Sequence, residues 1–265
     1  MTGYLRKNGE RFYALISASW LAMMASGVNA ADLPTGNAPS APAPIVAEVP
    51  LGFFVKFGFT YAINTTTSKL YSQQTPIAGA PQVEIPGVGA TLANVATLGF
   101  ESGYFVTPNV SIDASGGIPL FAKVTTKGAF PPGTLPVPSG TRLATVMPAI
   151  VPVTVLYHFN QFGRFQPYIG AGVAAVFSFA QRSGFNTGVT VDPTVGLVLQ
   201  GGADIMLDRH WGWSLDVKKV FAHGETDATG VNLADIGLAG QVPLAGTLKN
   251  NFAPWLLSTG LAYRF

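Results

Sequence analysis

The feature that most restricts the fold of this chain is a two-residue alternation between large apolar and small or polar side chains. At the C-terminal end, one face would carry Trp255, Leu257, Thr259, Leu261, Tyr263 and Phe265. The opposite face would carry Leu256, Ser258, Gly260, Ala262 and Arg264. Successive side chains of a β-strand point to opposite sides, so the pattern predicts a strand with two unlike faces.

Segments of this kind recur along the chain and are long for strands. A tilted strand needs about 9–11 residues to cross a bilayer, whereas strands of soluble proteins average about 5–6 residues. An even number of long strands allows a closed barrel, which leaves no unpaired edge in lipid. We therefore predict an all-β, eight-stranded antiparallel transmembrane β-barrel with an up-and-down meander, its strands at about 51–63, 93–107, 110–123, 141–159, 166–180, 194–208, 212–223 and 251–265.

The connections between these segments alternate in length. Short periplasmic turns and long extracellular loops are typical of outer-membrane barrels, so both termini are predicted to be periplasmic. Aromatic residues near the strand ends predict interfacial girdles. The predicted long loops are 64–92, 124–140, 181–193 and 224–250, and the girdle residues are Phe53, Tyr104, Phe105, Tyr157, Phe159, Tyr168, Trp211, Trp213, Tyr263 and Phe265.

Transmembrane helices are the alternative for so apolar a chain, in which 48% of residues are hydrophobic and 11% are charged. Two segments, 143–159 and 165–181, come near the length that a spanning helix needs. The first contains Pro148 and Pro152, and the second contains Pro167 with two glycines. Prolines interrupt helices, and a helical reading leaves the alternating segments unexplained.

The N-terminus has the organisation of a secretory signal. Basic residues (Arg6, Lys7 and Arg11) precede an apolar run, which ends before the small-x-small sequence Val28-Asn29-Ala30. We predict a signal peptide over 1–30, because the apolar run is too short for a retained anchor. A proline-rich periplasmic lead-in over 31–50 and the barrel over 51–265 would follow.

Removing the predicted signal changes the charge balance. It takes three of 15 basic and one of 13 acidic residues, which leaves 12 of each and a formally neutral chain. Nucleic acid is therefore not expected as a partner. The chain has no cysteine, so thiol chemistry and Cys-based metal sites are excluded.

The strand register places most charges of the barrel on its inner face, near the turns that join the strands. Charges removed from water persist only when they are paired. We predict that Lys56, Lys218 and Arg264 pair with the four carboxylates and form a plug at the periplasmic end, with direct solute contact as the alternative role. These residues are Lys56, Glu101, Asp113, His158, Asp204, Asp216, Lys218 and Arg264.

The same register predicts an apolar upper lumen lined by Val146, Ile150, Val176, Val198, Val220, Phe252 and Leu256. Proline cannot donate to a strand ladder and is normally confined to edges and bulges. Pro119, Pro148 and Pro152 therefore predict a lateral seam between the third and fourth strands. Bulges at the rim, which the fold tolerates without consequence, are the alternative interpretation.

Four short motifs resemble the outer membrane protein W (OmpW) family. The sequence from Phe165 to Gly172 is similar to that family's F-x-P-Y-x-G-A-G strand, and the hairpin that ends in Trp211 is similar to its G-x-D…N-x-x-W pattern. Leu215-Asp216-Val217-Lys218 fits the following strand, and the segment from Pro254 to Phe265 resembles the family's P-W…G-x-G-Y-R-F ending. The resemblance implies an eight-stranded outer-membrane barrel with a narrow apolar channel and passive uptake of small hydrophobic molecules.

Three functions are weighed on this basis. A channel for small hydrophobic solutes, with lateral release into the membrane, is favoured over a structural or adhesive barrel with a filled lumen. An enzyme is not expected, because there is no G-x-S-x-G sequence and no serine is placed in register with His158, His210 or His223. No cofactor or metal is expected. The expected partners are outer-membrane lipid, lipopolysaccharide, hydrophobic solutes and the barrel assembly machinery, for which Tyr263 and Phe265 resemble the assembly signal.

Overall fold

The computed structural model describes residues 51–73, 82–128, 137–184, 186–232 and 241–265. The predicted signal peptide and lead-in lie outside these residues, and their assignment stays a prediction. Within the described residues, no helix is long and apolar enough to cross a membrane.

The described residues form fourteen strands and a single turn of 3₁₀-helix at Asn160–Phe162. In chain order, the strands are β1 (Phe53–Ile63), β2 (Thr67–Gln73), β3 (Gln82–Ile85), β4 (Gly89–Leu92), β5 (Val95–Thr107), β6 (Val110–Gly117), β7 (Ala122–Lys127), β8 (Arg142–His158), β9 (Phe165–Ser183), β10 (Asn186–Val191), β11 (Thr194–Met206), β12 (Trp211–Asn232), β13 (Gln241–Phe252) and β14 (Trp255–Arg264).

Eight of these strands close into a barrel. Going round the wall, the order is β1, β5, β6, β8, β9, β11, β12 and β14, and β14 pairs with β1 to complete the ring. Every pairing is antiparallel, and each strand neighbours the barrel strands before and after it in the chain. The predicted fold class is confirmed, and each of the eight predicted segments coincides with one barrel strand, although β9 and β12 extend beyond their segments.

Side chains alternate across the wall as the sequence pattern requires. Phe57, Phe59 and Leu197 are exposed on the outer surface, whereas Lys56 and Val198 are buried inside. In a soluble protein such large exposed apolar side chains would be costly, but on a barrel they face lipid. The alternation was therefore sufficient to predict the lipid-facing surface.

Two aromatic residues that were assigned to the girdle point inwards instead. Phe105 is 2% exposed and Tyr168 is 3% exposed. Both lie near the barrel end where the short turns join the strands, here called the turn end. Side-chain parity is the stronger criterion than nearness to a strand end: Phe105 has the parity of Glu101 on β5, and Tyr168 has the parity of Val176 on β9.

Strands also occur where long loops were predicted. β2, β3, β4, β7, β10 and β13 extend the wall beyond the barrel at the opposite end, here called the loop end. β12 continues to Asn232 and pairs there with β10 and β13. The prediction of long loops did not include these strands, because side-chain alternation does not reveal where backbone N–H and C=O groups pair.

Candidate functional site

The eight ionisable residues predicted for the plug all lie buried inside the barrel, towards the turn end. They are called the charged cluster: Lys56, Glu101, Asp113, His158, Asp204, Asp216, Lys218 and Arg264. Every one of them occupies an inward position of its strand, next to residues whose side chains face lipid.

Ion pairs link the charged cluster across the lumen. Lys56 Nζ lies 3.2 Å from Glu101 Oε1 and 3.1 Å from Asp204 Oδ1. Lys218 Nζ lies 2.7 Å from Glu101 Oε2 and 2.6 Å from Asp216 Oδ1. Arg264 Nη2 lies 3.2 Å from Asp204 Oδ2. Because buried charges are stable only when paired, these contacts account for three cations and three carboxylates in the interior.

Uncharged side chains that sequence reasoning did not select complete the network. Gln200 Nε2 donates to Asp216 Oδ2 at 2.8 Å, and Tyr168 Oη donates to the same oxygen at 3.0 Å. Thr154 Oγ1 lies 2.6 Å from Gln200 Oε1 and 3.1 Å from Asp113 Oδ2. All three occupy inward positions of their strands, but only the fold shows that they bridge the charges.

Asp113 is the carboxylate without an ion pair among the described residues. A hydrogen bond to Thr154 joins it to the rest of the network, and its Oδ1 atom has no hydrogen-bond partner among those residues. The expectation that three cations would serve all four carboxylates therefore does not extend to Asp113. The cluster has three Lys and Arg cations, four carboxyl groups and one histidine.

His158 does have a serine beside it, contrary to the sequence expectation. Ser111 Oγ lies 3.0 Å from His158 Nε2, because β6 and β8 are neighbours in the wall. Both residues are fully buried, and His158 Nδ1 has no hydrogen-bond partner in the described part of the chain. The pair therefore lacks the orienting carboxylate of a Ser-His-Asp triad.

Aromatic rings lie directly beside the charges. The Phe105 ring is 5.3 Å from that of Phe54 and 4.7 Å from that of His158. Lys56 Nζ stands 4.3 Å above the Tyr168 ring, and the Arg264 guanidinium stands 5.1 Å from the Phe105 ring. With Thr154 and Gln200 included, side chains from all eight barrel strands meet at this level.

Apolar side chains occupy the lumen one step further towards the loop end. Along β11 the inward residues run Asp204, Gln200 and Val198, and the strand rises about 6.8 Å per pair of residues. Six of the seven predicted upper-lumen residues belong to one cluster, and Val146 is buried outside it. The six, called the apolar cluster, are Ile150, Val176, Val198, Val220, Phe252 and Leu256.

A cavity of about 150 Å³ lies between the two clusters and the opposite wall. Lys56, Glu101, Asp216 and Lys218 border it on the turn side, and apolar-cluster residues border it on the β8–β9 side. Its other wall carries small residues. These are Gly58, Thr60, Thr97, Gly99, Ser115, Gly117, Ser258 and Gly260.

Two of these glycines lie where the backbones of neighbouring strands approach each other closely. Gly58 pairs with Gly260 across β1 and β14. A Cβ atom on Gly58 would lie 2.0 Å from the Thr259 carbonyl oxygen, and one on Gly260 would lie 2.2 Å from the Phe57 carbonyl oxygen. The backbones approach so closely that only glycine fits at either position.

The wall is interrupted between β6 and β8. The ladder between these strands ends at Ala114 and Val153, and pairing resumes between β7 and β8 at Ala122 and Val146. The intervening residues of both strands form no ladder with each other. This interruption, called the lateral gap, comprises residues 115–121 and 147–152.

Two of the predicted seam prolines explain why the gap forms where it does. His158 N donates to Asn109 O on the β6 side, whereas Phe159 N donates to Pro167 O on the β9 side. Donors alternate along a strand, so residues 152 and 148 also face β6. Because both are proline, β8 lacks two of the N–H groups that would face β6 along this stretch and keeps only that of Ile150.

The cavity reaches the lateral gap. Pro119, Pro148 and Pro152 all border it, and so do Ile118 and Leu120. Ile118 and Leu120 are exposed on the outer surface of the barrel. The cavity is thus bounded both by lumen residues and by residues that face lipid.

A closed eight-stranded barrel with an apolar outer surface and a polar, filled turn end is an outer-membrane β-barrel protein. The chain belongs to the OmpW family, whose model matches residues 54–265.

Two relatives and one solved structure agree with this assignment. The outer-membrane protein y4mB of Sinorhizobium fredii is 34% identical over 183 residues, which are 68% of this chain and 71% of the relative. The dibenzothiophene metabolism operon protein PahQ of Pseudomonas aeruginosa is 34% identical over 146 residues, 55% of this chain and 64% of the relative. The crystal structure of OprG from Pseudomonas aeruginosa has a TM-score of 0.67 at 18% identity and covers 83% of this chain and 98% of OprG.

Proposed function

We propose that this protein takes up small hydrophobic molecules passively through the outer membrane and releases them sideways into the lipid. The observation that carries the proposal is a cavity with apolar walls that borders a buried charged cluster on one side and the lateral gap on the other. PahQ, to which the chain is similar, is named for an operon of dibenzothiophene metabolism, and dibenzothiophene is a small apolar compound.

The charged cluster supports sideways release rather than passage along the axis. An apolar solute that moved past Lys56 and Glu101 would have to separate ion pairs that water does not reach. Breaking a buried pair costs about 3–5 kcal/mol, whereas leaving through the lateral gap transfers the solute from one apolar environment to another. The cluster therefore acts as the floor of the route.

The orientation needed for uptake places the loop end outside the cell, as the turn lengths predict. Solute would then enter between the extension strands β2, β4, β7 and β13. A second group of buried apolar side chains lies among them and gives an entering solute a non-polar surface before it reaches the cavity. This group consists of Ala90, Val137, Leu143 and Leu248, with Leu70 and Val124 packed against it.

Uptake is tested with 1-N-phenylnaphthylamine, an apolar dye that fluoresces once it reaches hydrocarbon. Cells that carry the protein should gain fluorescence faster than cells without it, while entry of a small polar sugar should be the same in both. Equal rates for the dye would contradict the proposal. They would favour the competing function, a structural or adhesive barrel with a filled lumen.

Lateral release is tested separately with a variant of β8. Replacing Pro148 and Pro152 with alanine gives β8 the two missing N–H donors that face β6, so the strands can pair across the lateral gap. Dye entry should then slow. Pro167→Ala, which changes a proline of β9 away from the gap, is the matched control and should leave dye entry unchanged. An undiminished rate in the double variant would exclude the gap as the exit.

A further inference from the structure

A row of basic side chains lies on the outer surface immediately beyond the lateral gap. Lys123 on β7 pairs with Thr145 on β8, and Thr145 pairs with Arg182 on β9. Residues directly opposite each other in a sheet share a face, so the two basic side chains stand on one side of the wall. Both are exposed.

Arg182 is held in place by an aromatic ring. Its guanidinium carbon lies 3.9 Å from the centroid of the Phe121 ring, and Phe121 is itself exposed beside Ile118 and Leu120. Stacking of this kind orients the guanidinium and leaves its N–H groups available at the edge. The row thus sits where the outer surface changes from apolar to charged.

Neither member of the row has a carboxylate partner within the described chain, and neither do the nearby exposed residues Lys127 and Arg142. The other exposed cations of the loop end are different. Lys69 lies 3.0 Å from Glu84, and Lys249 lies 3.7 Å from Glu225.

Apart from Glu84, which is paired with Lys69, the acidic groups in the described part of the loop end gather on another part of the wall. Asp192, Glu225 and Asp227 lie around β10 and β12, where burial, together with the carboxylates of Asp227 and Glu225, raises the pKa of Asp192. The loop end is therefore divided into an acidic side at β10–β12 and a basic side at β7–β9. The basic side is the one that adjoins the lateral gap.

We propose that Lys123 and Arg182 bind a phosphate group of lipopolysaccharide in the outer leaflet, and that this contact places one such lipid beside the lateral gap. A phosphorylated glycolipid fits the row in three respects. Its phosphates lie at the boundary between apolar and polar layers, and its acyl chains match the apolar side chains of Ile118, Leu120 and Phe121. Guanidinium groups also bind phosphate with paired hydrogen bonds. The proposal assumes that the loop end faces outwards but does not depend on what the barrel transports.

The test measures binding of purified lipopolysaccharide to the full chain in detergent micelles. The variant Lys123→Gln/Arg182→Gln should bind about 10- to 30-fold more weakly, since each basic side chain near a lipid phosphate contributes about 1 kcal/mol. The control Lys69→Gln/Lys249→Gln removes the same charge from cations that already have carboxylate partners, and should bind with little change. Heat-modified gel mobility verifies that each variant is folded.

Dephosphorylated lipopolysaccharide gives the second measurement. The unaltered protein should bind it as weakly as the Lys123→Gln/Arg182→Gln variant binds the intact lipid. Equal affinity for the two lipids, or unchanged binding by that variant, would overturn the proposal. Inorganic phosphate that bound as tightly as lipopolysaccharide would also overturn it, because the site would then be one for a free anion.

Discussion

Lys218 on β12 and Glu101 on β5 form an ion pair at 2.7 Å across the lumen, although 117 residues separate them in the chain. The two strands are three places apart around the wall, so the pair spans the interior. Asp216 lies 2.6 Å from the same ammonium group. One lysine thus compensates two carboxylates that belong to opposite sides of the barrel.

Removing this lysine should destabilise the barrel strongly. Lys218→Met leaves Glu101 with Lys56 alone and leaves Asp216 without a cation, and the loss of one partner from a buried pair costs about 3–5 kcal/mol. Urea unfolding of the refolded protein in micelles measures the loss. Lys219→Met, at the adjacent position on the outer face, is the control and should change stability far less. Equal losses at the two positions would contradict a structural role for the ion pair.

Filling the cavity should stop uptake without unfolding the barrel. Ser115 on β6 borders the cavity and is buried, so Ser115→Phe places a ring in the space that a solute would use. Dye entry should fall to the level of cells without the protein. Ile112→Phe adds a ring to the lipid-facing side of the same strand and should leave dye entry unchanged. Normal entry through the Ser115→Phe variant would show that the cavity lies off the route.

The β11–β12 turn should respond to acid through Asp208. Its carboxylate accepts hydrogen bonds from the backbone N–H groups of Trp211 and His210, each at 2.7 Å, and these bonds lower its pKa. A carboxyl whose pKa is lower in the folded state stabilises the fold above its unfolded pKa of about 3.9. This stabilisation is lost as the pH falls through the pKa that the carboxyl has in the folded state.

The variant Asp208→Asn keeps an acceptor oxygen but cannot ionise. The difference between the urea midpoints of the unaltered protein and this variant should therefore be larger at pH 5 than at pH 3. Asp227→Asn, at another exposed strand position, serves as the control. A difference that did not vary with pH would show that the carboxylate charge of Asp208 contributes nothing to the turn.

The C-terminal aromatic residue should matter for assembly in cells. Phe265 is 65% exposed, and its ring lies 5.0 Å from that of Tyr263. Deleting Phe265 removes little buried surface, so refolding into micelles should be nearly unchanged. The amount of folded barrel recovered from the outer membrane should nevertheless decrease. An equal decrease in both measurements would assign Phe265 a role in stability rather than in recognition by the assembly machinery.

The residues that bridge the lumen illustrate how much of the candidate site a sequence pattern can predict. Alternation placed Lys56, Asp204 and Arg264 on the inner face, because parity depends only on the strand itself. It could not state which cation meets which carboxylate, since the partners come from strands that are far apart in the chain. Gln200 and Thr154 were missed for the same reason, and Asp113 was assigned a cation that it does not have.

The amino-acid sequence by itself determined the membrane-facing surface, the number of barrel strands and the end of the barrel at which the charges lie. Each of these follows from local alternation and from the spacing of turns, and both patterns can be read from short stretches of the sequence. Its prolines also pointed to a seam between the third and fourth barrel strands. Only the tertiary structure decided the pairing within the charged cluster, the extension of the wall by β2, β4, β7 and β13, and which residues the lateral gap comprises. These depend on which strand edges meet. The N–H donors that Pro148 and Pro152 lack interrupt the ladder only because β6 lies opposite them.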